Sequence, residues 1–337
     1  FPQYKEFKKG NKILSAVTPF SGFDIHKSHF PFLSLFYSSI ARDQASYIYE
    51  LSNYLPGDKL PIWSLAAQET DGMLGIPGPI IISQAINYKV NLSKDLYINS
   101  ISKSYDQIMD SSLNILDNPH KKFIESILIE NATAAKCILN ASESFPKSLN
   151  EIQKQRLSNI ASIFPFKDLK HDQKLINRKN LEFDNVTVES NRLQQAFSIH
   201  GSPKENIRKL GGKENFYKIH KTFLKETKKF NLGDEKNKYF RLENEIVHLA
   251  PYTIYYLDTK YRSIIEKYNK IITTNFSIKP NGWPGNDDLG QLSAYLIFNK
   301  LGIHPISPCS NKIAIFPPYF SEIEINSTDK EKINNQK

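Results

Sequence analysis

Among its 337 residues the sequence has only two cysteines, Cys137 and Cys309, with no metal-type spacing. A cysteine-ligated zinc site is thereby excluded. Whether the two cysteines pair or stay free is open at this level. No run approaches the roughly 18 apolar residues that a membrane-spanning helix needs. There is no RNP-like signature, no zinc-finger spacing and no arginine-rich stretch, although the net charge is +9, from 44 Lys+Arg against 35 Asp+Glu. The lysines are spread along the whole chain, with only short clusters such as Lys228-Lys229. The basic balance therefore points to a solvated surface and not to a nucleic-acid partner. The chain starts at Phe1 with neither methionine nor a signal-peptide pattern, so a processed or truncated start is expected. Internal repeats and long linkers are also missing.

What the sequence does have is helical periodicity. Apolar spacing predicts helices over 30–40, 44–55, 79–88, 95–115, 123–139, 149–163, 214–230, 252–256, 261–274 and 291–301. The stretch 192–210 is less regular, being interrupted by Gly201-Ser202-Pro203. After Gly302 the period changes, and 312–316 and 323–325 read as strands around Pro317-Pro318. Many helices with short connections and a small β tail indicate an all-α toroid or solenoid. A hydrophobic content of 40% suffices for one large domain or two ordinary ones. Six Asn-x-Ser/Thr sequons, at Asn91, Asn131, Asn140, Asn185, Asn275 and Asn326, lend weak support to a secretory route.

The segment richest in chemistry is Gly282-Trp283-Pro284-Gly285-Asn286-Asp287-Asp288-Leu289-Gly290. Glycines and a proline bracket three oxygen-bearing side chains just ahead of a helix. Adjacent aspartates point in different directions, so one is free to bind a cation while the other faces a substrate. Taken alone, the run reads more readily as a helix N-cap, because such caps are common.

The longer segment GWPGNDDLGQLSAYLIFNKLGIHPISP, beginning at Gly282, closely resembles the signature of glycoside hydrolase family 92, the calcium-dependent exo-acting α-mannosidases that invert the anomeric centre. Further blocks resemble the family in the same order. They are Phe23-Asp24; Leu60 to Ala66 followed by Glu69 to Gly75; Val188-Glu189-Ser190-Asn191; Leu210 to Glu214; and Asn244-Glu245 with His248 and Pro251-Tyr252. The resemblance runs from about residue 13 to about 326.

It implies a mainly α fold, an (α/α)6 toroid over 23–303. Around it lie an N-terminal extension (1–22), a C-terminal β segment (304–326) and a polar tail (327–337). It also implies hydrolysis of terminal α-linked mannose by two carboxylates, with Glu189 as the acid, Asp288 as the leading base and Asp287 as its close second. Asn244, Glu245 and one aspartate, Asp287 or its neighbour, would supply oxygen ligands to Ca²⁺. Asp24, Glu69, Lys27 and His248 would contact the sugar. Read as residues alone, His248 suits a satisfied interior histidine equally well, and Trp63 suits the core better than a sugar platform.

Several positions depart from the family. Leu193-Gln194-Gln195 replaces an aromatic wall, Ile199 to Ser202 loses an acid, and Leu249 replaces a second histidine. Lys27 stands at an arginine position and lacks a bidentate guanidinium grip. These departures leave a second reading open, a degenerate subunit that binds glycan or serves assembly. The family's N-terminal β-sandwich and first two barrel helices have no counterpart here. A second chain carrying them, from a cleaved precursor, is accordingly expected.

Overall fold

The computed structural model describes residues 7–9, 12–14, 20–65, 68–70, 72–117, 122–163, 165, 187–197, 203–225, 240–258, 260 and 263–324. Short strands β1 (Phe7–Lys9) and β2 (Lys12–Leu14) pair at the start. A three-stranded sheet follows, in which β4 (Trp63–Leu65) lies between β3 (Phe20–Ser21) and β5 (Gln68–Glu69), all antiparallel. The remainder is mainly helical. One turn, α1 (Gly22–Ile25), leads to α2 (His29–Phe36) and α3 (Ser38–Ser52). Next come α4 (Pro77–Asn87), α5 (Lys94–Asp117), α6 (Ile124–Ser142) and α7 (Glu151–Ala161).

The second half opens with two short pieces, α8 (Arg192–Gln195) and α9 (Pro203–Lys209), followed by α10 (Gly212–Lys225). Then come α11 (Ala250–Thr253), α12 (Ser263–Thr274) and α13 (Gln291–Leu301). Helix α4 packs on α5 and α6, and α6 on α7. Near the end of the chain, α13 returns to α2. Hairpins of helix laid side by side, with the last helix against an early one, make an α/α toroid. A β-pair, β6 (Ile303–Pro305) with β7 (Ile313–Ile315), follows it.

Most predicted helices appear with ends shifted by a few residues. The predicted helix over 30–40 is two helices instead. Tyr37 leaves the helical region (φ −137°, ψ 60°), and its N–H closes α2 on the Leu33 carbonyl. The aromatic rings explain the break. Phe32 packs on Phe36, Tyr37 and, edge-on, Phe298 of α13. A straight helix could not turn all of these rings toward one side. Of the predicted strands, 312–316 exists as β7, whereas Ile323 and Glu324 are not in a strand and Ile325 lies outside the described residues. The end of the predicted helix over 214–230 also lies outside them.

Two apolar cores fill the ring. One joins Phe30, Ile48, Ile80, Ile101, Ile138 and their neighbours from the first half. The other joins Phe216, Phe223, Phe240, Tyr268 and Tyr295 from the second. The C-terminal segment ties them together, since Cys309 belongs to the first core and Phe316 to the second. Cys137 and Cys309 form a disulfide across 172 residues of sequence. This settles the pairing and suits an oxidising compartment. Among the sequons, Asn91 is exposed, while Asn131 is buried and bonded to Ser111. Among the described residues no helix is long and apolar enough to cross a membrane.

Candidate active site

A third, small apolar cluster explains how the site is assembled. Phe23, Val188 and Ile246 come from three segments distant in sequence and bury together, with Met73, Leu74 and Phe123 packed against them. Each of the three is the chain neighbour of a carboxylate: Asp24, Glu189 and Glu245. Burial of the apolar residues therefore draws the acids to one place. Around them opens a cavity of about 450 Å³, lined by Asp24, Glu189, Asn244, Glu245, Asn286 and Asp288, with Trp63, Met73, Arg241 and Glu243 completing its wall.

The acid-bearing loops are held in unusual backbone conformations. Glu189 (φ 48°) and Asp288 (φ 45°) both occupy the left-handed region, which side chains other than glycine seldom adopt. Such conformations persist where surrounding bonds over-determine them, and they collect at functional sites. Around Glu189 those bonds are visible. The Val188 N–H donates to Ser126 Oγ (2.9 Å), the Thr187 hydroxyl donates to the Ser190 carbonyl (2.6 Å), and Gln195 donates to Ser190 Oγ (2.9 Å). Asn191 and Gln194 form a reciprocal capping box that starts α8. Thus Gln194 and Gln195 fold back to brace the loop.

On the opposite loop, Leu289 (φ 57°) and Gly290 (φ 85°) continue the left-handed run from Asp288. A side chain at Gly290 would meet His29 Nδ1 at 2.5 Å, so the turn needs glycine for both conformation and space.

Carboxylate oxygens of Asp24, Glu245 and Asp288 all lie within 4.8 Å of one another. This crowding shows in their acidity. Burial, then the charge of Asp24, push the Glu245 carboxyl up to about 8, against the opposing Lys27. Burial raises Asp24 to about 6, with Asp288 and Glu189 adding to it and Ser21 and Lys27 opposing. Asp288 is raised by burial, then by Glu189 and Asp287. Three acids that resist ionising together form a donor set of hard oxygens, which is what a calcium ion takes. Asn244 stands beside them, its Oδ1 accepting from the Ile246 N–H (3.1 Å) and its Nδ2 donating to the Glu189 carbonyl (3.4 Å).

Four other expected site residues lie elsewhere. Asp287 is exposed and its carboxylate accepts from both the N–H (2.7 Å) and the hydroxyl (2.8 Å) of Ser293, fastening the first turn of α13. Glu69 accepts from the N–H groups of Ile62, Trp63 and Thr70, organising the small sheet from inside. His248 is fully enclosed. It bonds the Leu242 carbonyl and Gln291, and stacks on Tyr295 at 3.8 Å, the arrangement of an interior histidine. Burial lowers its pKa to about 3.

Lys27 bonds Glu130 (3.4 Å) and lies over the Phe23 ring. Burial opposes ionisation of Glu130, yet Lys27 and His26 outweigh it and hold that carboxyl down at about 2. Leu193 is buried in the second core, and Leu249 with Lys27 lines a separate chamber, so none of them fills the cavity.

Sequence reasoning overlooked Arg241 and Glu243, paired at 2.7 Å on the cavity wall. Both lie in the turn closed by the Asn244 N–H on the Arg241 carbonyl (2.9 Å), and their place directly before Asn244 was the available signal.

Several carboxylates lining one cavity of an α/α toroid are compatible with glycosidase chemistry. The sequence model of the glycosyl hydrolase family 92 catalytic domain matches residues 140–337, and the chain belongs to that family. In structure it is similar to a family GH92 α-mannosidase of Bacteroides thetaiotaomicron complexed with mannoimidazole. The TM-score is 0.72 and the identity 20%, covering 91% of this chain and 44% of that one. It is also similar to a family GH92 inverting mannosidase of Bacteroides thetaiotaomicron VPI-5482, with a TM-score of 0.69, 16% identity, and coverage of 89% and 45%. An uncharacterized secreted glycosidase of Arthroderma benhamiae is 25% identical over 139 residues, which is 41% of this chain and 16% of that protein. The chain spans less than half the length of these relatives. Nothing in the comparisons supports the expected second chain.

Proposed function

We propose that the chain forms the catalytic half of an exo-acting α-mannosidase that hydrolyses terminal α-linked mannose with inversion. The observation that carries the reading is that Glu189 and Asp288 line one cavity together with Asp24, Asn244 and Glu245. Inverting hydrolysis needs one carboxylic acid to protonate the leaving oxygen and a second carboxylate to activate water on the opposite face of the sugar. Glu189 serves as the acid. Asp288 serves as the base, because Asp287 has both carboxylate oxygens engaged by Ser293. A cavity of this size admits a sugar with its nucleophilic water between the two groups.

Asp24, Glu245 and Asn244 would hold Ca²⁺, with Asp288 at its edge. Bound there, the ion supplies positive charge to draw in sugar hydroxyls and to relieve the repulsion among the acids. Trp63 offers an apolar face to the ring, and Arg241 with Glu243 offers donors and acceptors to hydroxyls. The disulfide and the secreted relative support a secretory or extracellular setting.

The test is release of mannose from aryl and disaccharide α-mannosides, followed by NMR of the first product. The expected outcome is β-mannose, lost in EDTA and in Glu189→Gln. Absence of turnover on every α-mannoside in millimolar calcium, by the chain folded and disulfide-bonded, would overturn the assignment.

A further inference from the structure

Behind the carboxylate cluster lies a second chamber of about 20 Å³. Roughly 10–15 Å³ is enough for one water molecule. Glu245 lines both this chamber and the catalytic cavity and so forms part of the partition between them. Five side-chain atoms on the chamber's lining residues are buried and make no hydrogen bond: His26 Nδ1, Gln84 Oε1, Glu245 Oε1, His304 Nε2 and Glu130 Oε2, the last having only a longer ion contact to His26 Nε2 (3.6 Å). None of these five residues is more than 4% exposed. A folded protein rarely leaves one buried polar atom unanswered, and here five gather on one small space.

Their chemistry specifies the occupant. Gln84 donates its Nε2 to the His26 carbonyl (2.7 Å), so the atom left over is an acceptor. His304 places Nδ1 at 2.6 Å from the Pro305 carbonyl, which can only accept. The proton is therefore on Nδ1 and Nε2 is a bare acceptor. Glu130 Oε2 accepts as a carboxylate, and Glu245 Oε1 accepts when that acid is ionised. The ammonium of Lys27 also borders the chamber, but it is directed to Glu130 Oε1. The space thus presents acceptors and calls for a donor. Among the described residues the one group of His, Cys, Asp and Glu close enough to hold a metal is the outer cluster, not this set. Water, with two O–H donors and the right size, meets the requirement.

We propose that this chamber is a built site for ordered water, which donates to Glu245 from behind and fixes its carboxylate toward the cation-binding face. Gln84 and His304 are then positioning residues. They hold the water, the water holds Glu245, and Glu245 faces the ion. Partners of metal ligands at this remove commonly govern affinity by about 10–100-fold. The chamber itself follows from the buried acceptors, whereas its effect on calcium rests on the function proposed above.

Two measurements test it on the full disulfide-bonded chain. The first is a high-resolution crystal structure in calcium and again in rubidium. Water is expected within hydrogen-bond distance of Glu245 Oε1 and of Gln84 Oε1 or His304 Nε2, with no anomalous rubidium peak. A dry chamber, or rubidium seated in it, overturns the proposal. The second is calcium affinity by calorimetry for Gln84→Met, which removes an acceptor, and Thr133→Leu, which fills the space. Each is expected to bind calcium at least about tenfold more weakly while keeping a cooperative unfolding transition. If both fold and bind as tightly as the wild type, the positioning role is refuted. If the wild type itself binds no calcium, the proposed function fails at its cation while the diffraction result still decides the water site.

Discussion

Replacing Glu245 by Gln should change how stability depends on pH, and the direction follows from the site. The Glu245 carboxyl titrates near 8 in the folded chain, against about 4.3 for an unperturbed glutamate. Between those values the folded state keeps a proton that the unfolded state has lost, so stability falls as pH rises through the window. Below it both states are protonated and Glu245 contributes nothing. Above it both are ionised and the full cost is present. The cost grows by about 1.4 kcal/mol for each pH unit crossed between the two values. In calcium-free buffer it is about 1 kcal/mol at pH 5, about 4 at pH 7 and about 5 at pH 8.5.

The buried histidines work in the opposite direction, since His220, His248 and His304 are lowered to about 3 by burial. Their contributions are complete above about pH 6.5, which makes pH 7–8.5 the clean interval. Urea unfolding in EDTA should show the wild type losing roughly 1 kcal/mol or more across that interval relative to Glu245→Gln. Calcium should reverse the trend for the wild type alone, because the ion binds the ionised acids, stabilising it more at pH 8 than at pH 5.5. Parallel pH profiles for the wild type and Glu245→Gln would refute the argument that crowding controls this carboxyl.

Three further outcomes are expected. Val188→Ala removes two buried methyl groups from the cluster shared with Phe23 and Ile246. It should cost about 1–2 kcal/mol by urea unfolding and lower kcat more than it changes KM, through displacement of Glu189. Asp287→Ala should cost roughly 1 kcal/mol, as loss of a helix cap, and leave most activity, whereas Asp288→Ala should lose about 10²–10⁴-fold in kcat; the reverse ranking would exchange their roles. Replacing Cys137 and Cys309 together by serine should lower stability by up to about 5 kcal/mol in denaturant, the chain-entropy value for so long a loop; an unchanged midpoint would mean that the bond does not constrain the unfolded chain.

How far the sequence could be read depended on which interaction set the feature. Helices α4, α5, α6 and α13 were legible because each carries apolar residues at helical spacing and a local stop, such as the left-handed Gly302 after α13. The break at Tyr37 was not, because it follows Phe32 and Phe36, whose rings pack on Phe298 of α13, distant in sequence. The strand Ile313–Ile315 could be predicted from its alternation, but not its partner Ile303–Pro305, which continues directly from a helix. The region 192–210 resists any periodic reading because its job is to brace Glu189, through the Asn191–Gln194 capping box and the Gln195–Ser190 bond.

The same distinction governs the site. Of the residues to which family resemblance pointed, Asp24, Glu189, Asn244, Glu245 and Asp288 share the cavity, whereas Glu69, Lys27, His248 and Asp287 do not line it. Resemblance could not separate Asp287 from Asp288, because both belong to one motif and either could cap a helix. What separates them is the backbone. Asp288 enters the left-handed region at φ 45°, followed by Leu289 and Gly290, and this run aims the two neighbouring carboxylates to different sides. One meets Ser293 on the outside of α13, and the other meets Asp24 and Glu245 within the ring. The glycine that permits the run is itself required by His29 beneath it. Asp287 thus supports the first turn of α13 while Asp288 lines the cavity, and a substitution at Gly290 should disturb both at once.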